Sequence, residues 1–273
     1  MDHIRQCLAS DKPFFIGRIA GVELLTVYNE QKSDIVELSR NIVELENNAG
    51  IKVTDYRSLT DYTTKLMEAY DQCTCIAEWD LYGPVYAKTG QGQDLVAKRT
   101  PHIPKVNARV LEPYYFLEEE SWMPLLKGKH ILIIHPFVET IKQQLSRLHT
   151  VFPDKKWFED CTFTVIKPPM TLAGNHQNQS WDKHLTAILS QTYEFDMALI
   201  AAGGYGMLIA DELFKRGKSV MYIGGALQLF FGIIGRRWFE NKEIMVMVND
   251  AWTRPLPADK PAGATKVEKG CYW

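Results

Sequence analysis

The stretch Asp196–Trp238, DMALIAAGGYGMLIADELFKRGKSVMYIGGALQLFFGIIGRRW, decides the fold. Met197 to Ala202 is an apolar run of strand length, and the glycine cluster Gly203, Gly204 and Gly206 follows it. Helical spacing then runs from Met207 to Arg216, Gly217 supplies the stop, and Ser219 to Ile223 is a second apolar run. Strand, tight turn, helix and strand make a parallel crossover. In open parallel sheets ligands sit beyond the carboxyl ends of the strands. Gly203–Gly206 and Gly224–Gly225 fall at two such ends, so both loops are expected to face one cleft. Backbone N–H groups at a bare glycine turn, aimed along a helix N-terminus, suit a phosphate. The first expectation is therefore a nucleotide-containing ligand.

Working outward, the second half alternates strand and helix. His130–Ile134 reads as a strand, Ile141 to Thr150 as a helix and Thr162–Ile166 as a strand broken by Pro168 and Pro169. Ser180 starts a helix expected to reach Thr192, and Ile244–Val248 (IMVMV) reads as a last strand. In the first half Phe14–Gly17 is a strand, RIAG (Arg18–Gly21) a turn, and helical spacing starts at Val22. Further helices are expected over Asp34–Glu46 and over Ser58–Asp71, the latter with Ser58 as N-cap. Thr74–Trp79 reads as a strand that delivers Glu78 and Asp80 to a loop. Lys88–Lys105, rich in Gly, Gln, Lys and Pro, reads as a long surface loop of the kind that forms lids. LEPYYFLEEE (Leu111–Glu120) follows, and the pattern is interrupted near Met123–Lys129.

These elements define an α/β fold, a Rossmann-like parallel sheet with helices on both faces. The whole of 1–273 is read as one domain, with an N-terminal half 1–125, a nucleotide-binding half 126–250 and an extended tail 251–273. At 46% hydrophobic and 23% charged residues the chain is ordinary globular material. A net charge of −2 with dispersed basic residues gives no nucleic-acid partner. Five cysteines without zinc spacing point to reduced thiols and a cytoplasmic protein. The uncharged run Ser219–Gly235 is barely of spanning length and holds four glycines, so no transmembrane segment is expected.

Gly204-Tyr205-Gly206-Met207-Leu208-Ile209 approaches a dinucleotide fingerprint but lacks its third glycine. The acidic ribose ligand expected after the next strand is replaced by Gly224. An NAD(P)-dependent oxidoreductase is thereby the weakest of three readings. Packing alone, the glycines serving tight turns, is the bland reading of the cluster.

The run FIGRIAGVE (Phe15–Glu23) resembles the RFGDGE-type opening of GT-D fold glycosyltransferases. GKHILIIHPFVETIKQQ, the central stretch and the closing VNDAWTRP and VEKGCYW are similar to a related group of glycan-assembly glycosyltransferases. The resemblance implies a GT-D-like architecture that moves a sugar from a nucleotide diphosphate donor, a UDP-sugar with UDP-xylose as one candidate, to a glycan hydroxyl. The family has an Asp two residues before its Glu as part of a metal-contacting pair; here Gly21 stands there and Glu23 is kept. A manganese or magnesium ion is left without its usual pair, and cationic side chains or helix N-termini are expected to neutralise the diphosphate instead.

Glu23 and Asp80 are the candidate catalytic bases, with Glu112 behind them. Gly17, Arg18, His135, Thr140, Gly203, Gly204, Tyr205, Gly206, Gly224, Gly225, Gln228, Arg236, Arg237 and Trp238 are the candidate nucleotide-sugar contacts. Within that set Arg18, His135, Arg236 and Arg237 serve the diphosphate and Gln228 the uracil or ribose edges. Trp79, Tyr114, Tyr115 and Trp238 offer flat faces for stacking. The partners are a nucleotide-sugar donor and a glycan acceptor, and the reading allows a homodimer. A non-catalytic glycan or nucleotide-sugar binding protein is the alternative, motivated by Gly21.

Overall fold

A computed structural model describes residues 1–116, 121–155, 157–191 and 193–273. The end of LEPYYFLEEE (117–120) and Thr192 lie outside the described residues. Seven strands form one all-parallel sheet in the order β3-β2-β1-β7-β6-β4-β5. They are β1 (Phe15–Arg18), β2 (Cys75–Glu78), β3 (Lys105–Asn107), β4 (His130–Ile134), β5 (Thr162–Ile166), β6 (Met197–Ile200) and β7 (Ser219–Tyr222). The crossover expected from the central stretch is present: β6 and β7 are neighbours, with Met197 opposite Ser219 and Ile200 opposite Tyr222. Strand β7 also pairs with β1, Phe15 facing Val220, so the sheet runs unbroken from one half of the chain to the other.

The helices are α1 (Asp2–Ala9), α2 (Val22–Lys32), α3 (Ile35–Glu44), α4 (Tyr56–Asp71), α5 (Tyr86–Arg99), α6 (Val138–Leu145), α7 (Leu148–Val151), α8 (Trp181–Leu189), α9 (Gly206–Lys215) and α10 (Lys242–Met245). Alternate strand residues point to opposite faces, and two separate cores result. Phe15, Ile76, Leu132, Ala198 and Val220 pack with residues of α2, α4, α8 and α9. Ile16, Ala77, Ile131, Leu199 and Met221 pack on the other face with α1, α6 and the 3₁₀ turns of Gly224–Phe231. Every residue of β6 is buried, as expected where both faces are covered. The apolar run after β7 is core: Leu227, Leu229, Phe230 and Phe231 have no solvent exposure. Among the described residues, no helix is long and apolar enough to cross a membrane.

The structure corrects the sequence reading at several elements. Lys88–Lys105 is not a lid: most of it belongs to α5, and its end is β3. Gly90 and Gly92 lower helix propensity by about 1 kcal/mol each relative to Ala and hide the helical period. A Cβ at Gly92 would lie 2.5 Å from Leu24 Cβ, so the glycine lets α5 lie directly on α2. Ile244–Val248 is not a strand. The Asn241 side chain accepts from the N–H groups of Glu243 and Ile244 and caps the short helix α10 there. Helix α4 begins at Tyr56 because Asp55, not Ser58, is the cap; its carboxylate accepts from Ser58 N. The helix after β4 starts at Val138, three residues early, and breaks before α7. Segment 251–273 packs over the body as expected, but as short 3₁₀ turns rather than extended chain.

Candidate functional site

The carboxyl ends of β2, β1 and β7 lie side by side, and the chain places its buried charges there. Arg18 is the last residue of β1. Its guanidinium lies 4.5 Å from the Trp79 ring centre, and Nη2 is 3.0 Å from Glu112 Oε1. Nη1 donates to the Ile223 carbonyl. Glu112 is buried and receives a second, longer contact from Arg109 Nη1 at 3.8 Å. Gly224 has φ +74, and a Cβ there would stand 3.2 Å from Arg18 Nη1. The glycine thus serves both the left-handed turn and the close approach of the cation. Trp79 is itself fixed by α5: Gln93 Oε1 accepts from its N–H at 2.9 Å and Nε2 donates to its carbonyl at 2.8 Å.

Glu23 sits in the first turn of α2, directly after the RIAG turn, and is 7% exposed. Burial raises its pKa; the N–H groups of Glu23 and Gly21 hydrogen-bond to it and pull the other way, and the charge of Glu268 raises it further. Among the described residues no cation pairs with it. Three buried tyrosines surround this corner and join it to the Gly203–Gly206 turn. Tyr70 OH donates to the Arg18 carbonyl (2.8 Å) and accepts from Ala20 N (3.0 Å). Tyr62 OH donates to Gly204 O at 3.0 Å and Tyr222 OH to Gly203 O at 3.1 Å. Asp80, at the end of β2, is exposed and accepts from Asn107 Nδ2.

Other candidates find their partners within the protein. Gly17 lies inside the sheet, where a Cβ would stand 2.5 Å from Cys73 Sγ. The Gly203–Gly206 turn does not open on a cavity. A Cβ at Gly203 would meet Ala49 O at 2.9 Å, at Gly204 Ile51 Cγ1 at 2.4 Å, and at Gly206 the Tyr222 ring at 2.1 Å. Tyr205 is buried with its hydroxyl on Gly50 O. His135 is buried, its Nδ1 accepts from Phe137 N at 3.0 Å, and burial depresses its pKa to about 3. A neutral, enclosed imidazole is no diphosphate ligand. Thr140 is also enclosed: its N–H and hydroxyl both donate to Asp259 Oδ2 at 2.7 Å, so a carboxylate from the closing segment already caps α6.

Gln228 is buried and donates to the carbonyls of Ile233 (3.0 Å) and Tyr272 (3.4 Å), not to a base. A Cβ at Gly225 would lie 2.3 Å from the Tyr272 ring. Trp238 is buried beneath Tyr272, the ring centres 6.4 Å apart, and Tyr114 is buried in the core. Tyr115 carries Arg109 at 4.5 Å. Arg237 pairs with Glu268 and stacks on Tyr272 at 4.5 Å, while Arg236 is exposed. The structure thus brings Arg18, Glu112, Trp79 and Gly224 together, with Glu23 in the first turn of the helix that follows Arg18 and Arg237 held by the closing segment. It does not bring the Gly203–Gly206 turn to that group as an open wall.

Sequence reading missed Gln93, hidden in the supposed loop, and the tyrosines 62, 70 and 222, whose hydroxyls carry no sequence signal. Arg109, three residues before Glu112, was missed as well; the i, i+3 spacing of the two charges is the signal that could have found it. Among the described residues no three of His, Cys, Asp or Glu converge as a metal-binding group. Gly21 supplies no side-chain donor atom where the resemblance has a carboxylate. An open groove of about 580 Å³ lies along α2, α3 and α5, lined by Tyr28, Asn29, Lys32, Asn41 and Lys88 among others, none of them from the strand ends. Compared with protein-family models, curated proteins and solved structures, the chain matches none.

Proposed function

We propose that the protein is a nucleotide-sugar-dependent glycosyltransferase whose centre is the β1 corner. The observation that carries this reading is Glu23, a buried carboxyl with no paired cation among the described residues, in the first turn of the helix that follows β1, whose last residue is Arg18. A carboxyl whose pKa is raised by burial suits proton transfer near neutral pH. In the reaction, an acceptor hydroxyl attacks the anomeric carbon while its proton passes to a Glu23 oxygen, and the bond to the nucleoside diphosphate breaks. Arg18 and Arg237, with Arg236 at the rim, meet the negative charge that develops on the leaving diphosphate. The resemblance of FIGRIAGVE to GT-D openings supports the assignment of Glu23, and a UDP-sugar, UDP-xylose among the candidates, is the donor. Asp80, in the loop just past the neighbouring strand β2 and open to solvent, is the alternative base.

Titration calorimetry with UDP, with and without manganese, tests donor binding and the metal together. Glu23→Gln is expected to keep UDP binding while lowering release of UDP from the donor by about 10²–10⁴-fold, the usual worth of a positioned base. No UDP binding at millimolar concentration would falsify the reading. A second reading, a non-catalytic glycan or nucleotide-sugar binding protein, is favoured by the packing of the Gly203–Gly206 turn against 49–51. It predicts UDP binding with no release from any UDP-sugar.

A further inference from the structure

The corner around Glu23 is covered by residues 268–273, and that cover is under visible strain. Glu268 and Lys269 both adopt left-handed backbone, φ 43 and 57, a conformation unfavourable for residues other than glycine. Among the described residues the buried indole N–H of Trp273 has no hydrogen-bond partner, and such an orphan donor weakens the state that contains it. Glu268 pairs with Arg237, and its charge also opposes the ionisation of Glu23. The cover is held by Arg237, which stacks on Tyr272, by Gln228, which donates to Tyr272 O, and by contacts at its end. Arg237 N donates to Cys271 O at 2.8 Å, Tyr272 rests on Gly225, and Trp273 meets Phe137 with ring centres 5.8 Å apart.

Left-handed backbone at two successive residues beside a candidate site marks a two-position element. We propose that residues 268–273 are a strap that closes this corner and lifts when a nucleoside diphosphate binds, the phosphate replacing the Glu268 carboxylate on Arg237. The inference rests on the nucleotide-sugar reading and names the regulation of that same site. Lifting frees Arg237, uncovers the Gly224–Gly225 turn and opens a path to Glu23. Because only the lifted form binds, the apparent dissociation constant is the intrinsic one divided by the lifted fraction.

Three variants separate the parts of the argument. Glu268→Gln removes the ion pair and is expected to tighten UDP about 3-fold, the scale of a half-exposed pair. Lys269→Gly relieves the left-handed strain of the closed form and is expected to weaken UDP about 3- to 5-fold. Lys269→Ala removes the same charge and keeps the strain, so its affinity stays at the wild-type value. Hydrogen exchange at 268–273 without ligand should quicken in Glu268→Gln, slow in Lys269→Gly, and quicken in the wild type when UDP is added. Equal UDP affinity in all four proteins, or UDP binding that leaves exchange at 268–273 unchanged, overturns the strap and leaves the transferase standing. If none of the four binds UDP, both fall.

Discussion

Two corners of one sheet edge looked alike in the sequence and differ in the structure. At the carboxyl ends of β4 and β6, His135, Thr140 and the Gly203–Gly206 turn are each matched by a partner inside the protein: Phe137 N, Asp259, and the 49–51 loop with Tyr222. At the ends of β1, β2 and β7, an arginine is balanced by one glutamate, and a second glutamate is buried with backbone N–H groups alone. A glycine turn or a strand-end histidine therefore says only that the backbone comes close to something. What distinguishes a site is a charge whose demands the fold leaves unmet.

The comparison can be broken at either corner. The largest effect is expected from Glu112→Ala, which leaves the buried Arg18 guanidinium without its carboxylate and costs about 3–5 kcal/mol. Denaturant unfolding measures it, and a loss under 1 kcal/mol would mean that Arg18 turns to solvent. At the other corner His135 makes the fold acid-sensitive. Its folded pKa of about 3 lies below the usual 6.5, so the unfolded chain binds the extra proton between those values. Its contribution is complete above pH 6.5 and is lost as the pH falls towards 3. At pH 5 the loss is about 2 kcal/mol, at roughly 1.4 kcal/mol per unit. His135→Asn keeps an acceptor for Phe137 N without a titrating group, and its stability between pH 7 and 5 should fall by that much less than the wild type's.

Gly206→Ala sharpens the contrast by overpacking: its Cβ would press into the Tyr222 ring, at a cost of about 1–3 kcal/mol. UDP affinity should hardly move, since this turn is packing; a tenfold loss with stability kept would restore it as a phosphate cradle. The smallest effect runs the other way. Burial raises the Glu23 pKa above its usual 4.5, so the native state holds the proton more tightly than the unfolded chain. That advantage is complete below pH 4.5 and vanishes as the pH rises through the folded value. Glu23→Gln should therefore stabilise the protein at pH 7.5 by about 1 kcal/mol, within the range for an uncompensated buried group, and make no difference at pH 4. Thermal melts at the two pH values decide it, and destabilisation at pH 7.5 would reveal a partner for the carboxylate.

Six of the seven strands were legible because doubly covered parallel strands are short apolar runs between turn residues. Strand β3 was not, since Lys105 and Asn107 give it a polar look at the sheet edge. The run at Ile244–Val248 had the right composition, but the Asn241 cap winds its start into a short helix, which apolar composition does not reveal. Of the site, Arg18, Glu23, Glu112 and Trp79 could be named from strand ends and from the resemblance. The closing segment's part could not, because Asp259 and Glu268 act on residues 119 and 31 positions away and carry no local pattern.

The pairing of Phe15 with Val220 also sets the timetable of synthesis. Strand β1 leaves the ribosome about 200 residues before β7, and one of its two flanks is filled only by β7. A nascent chain halted before Ser219 keeps the main-chain groups along Phe15–Arg18 open on that side, a template for pairing with foreign strands. At about 5–20 residues per second, that edge waits on the order of ten seconds or longer. Only the emergence of β7 completes the ladder on that side of β1.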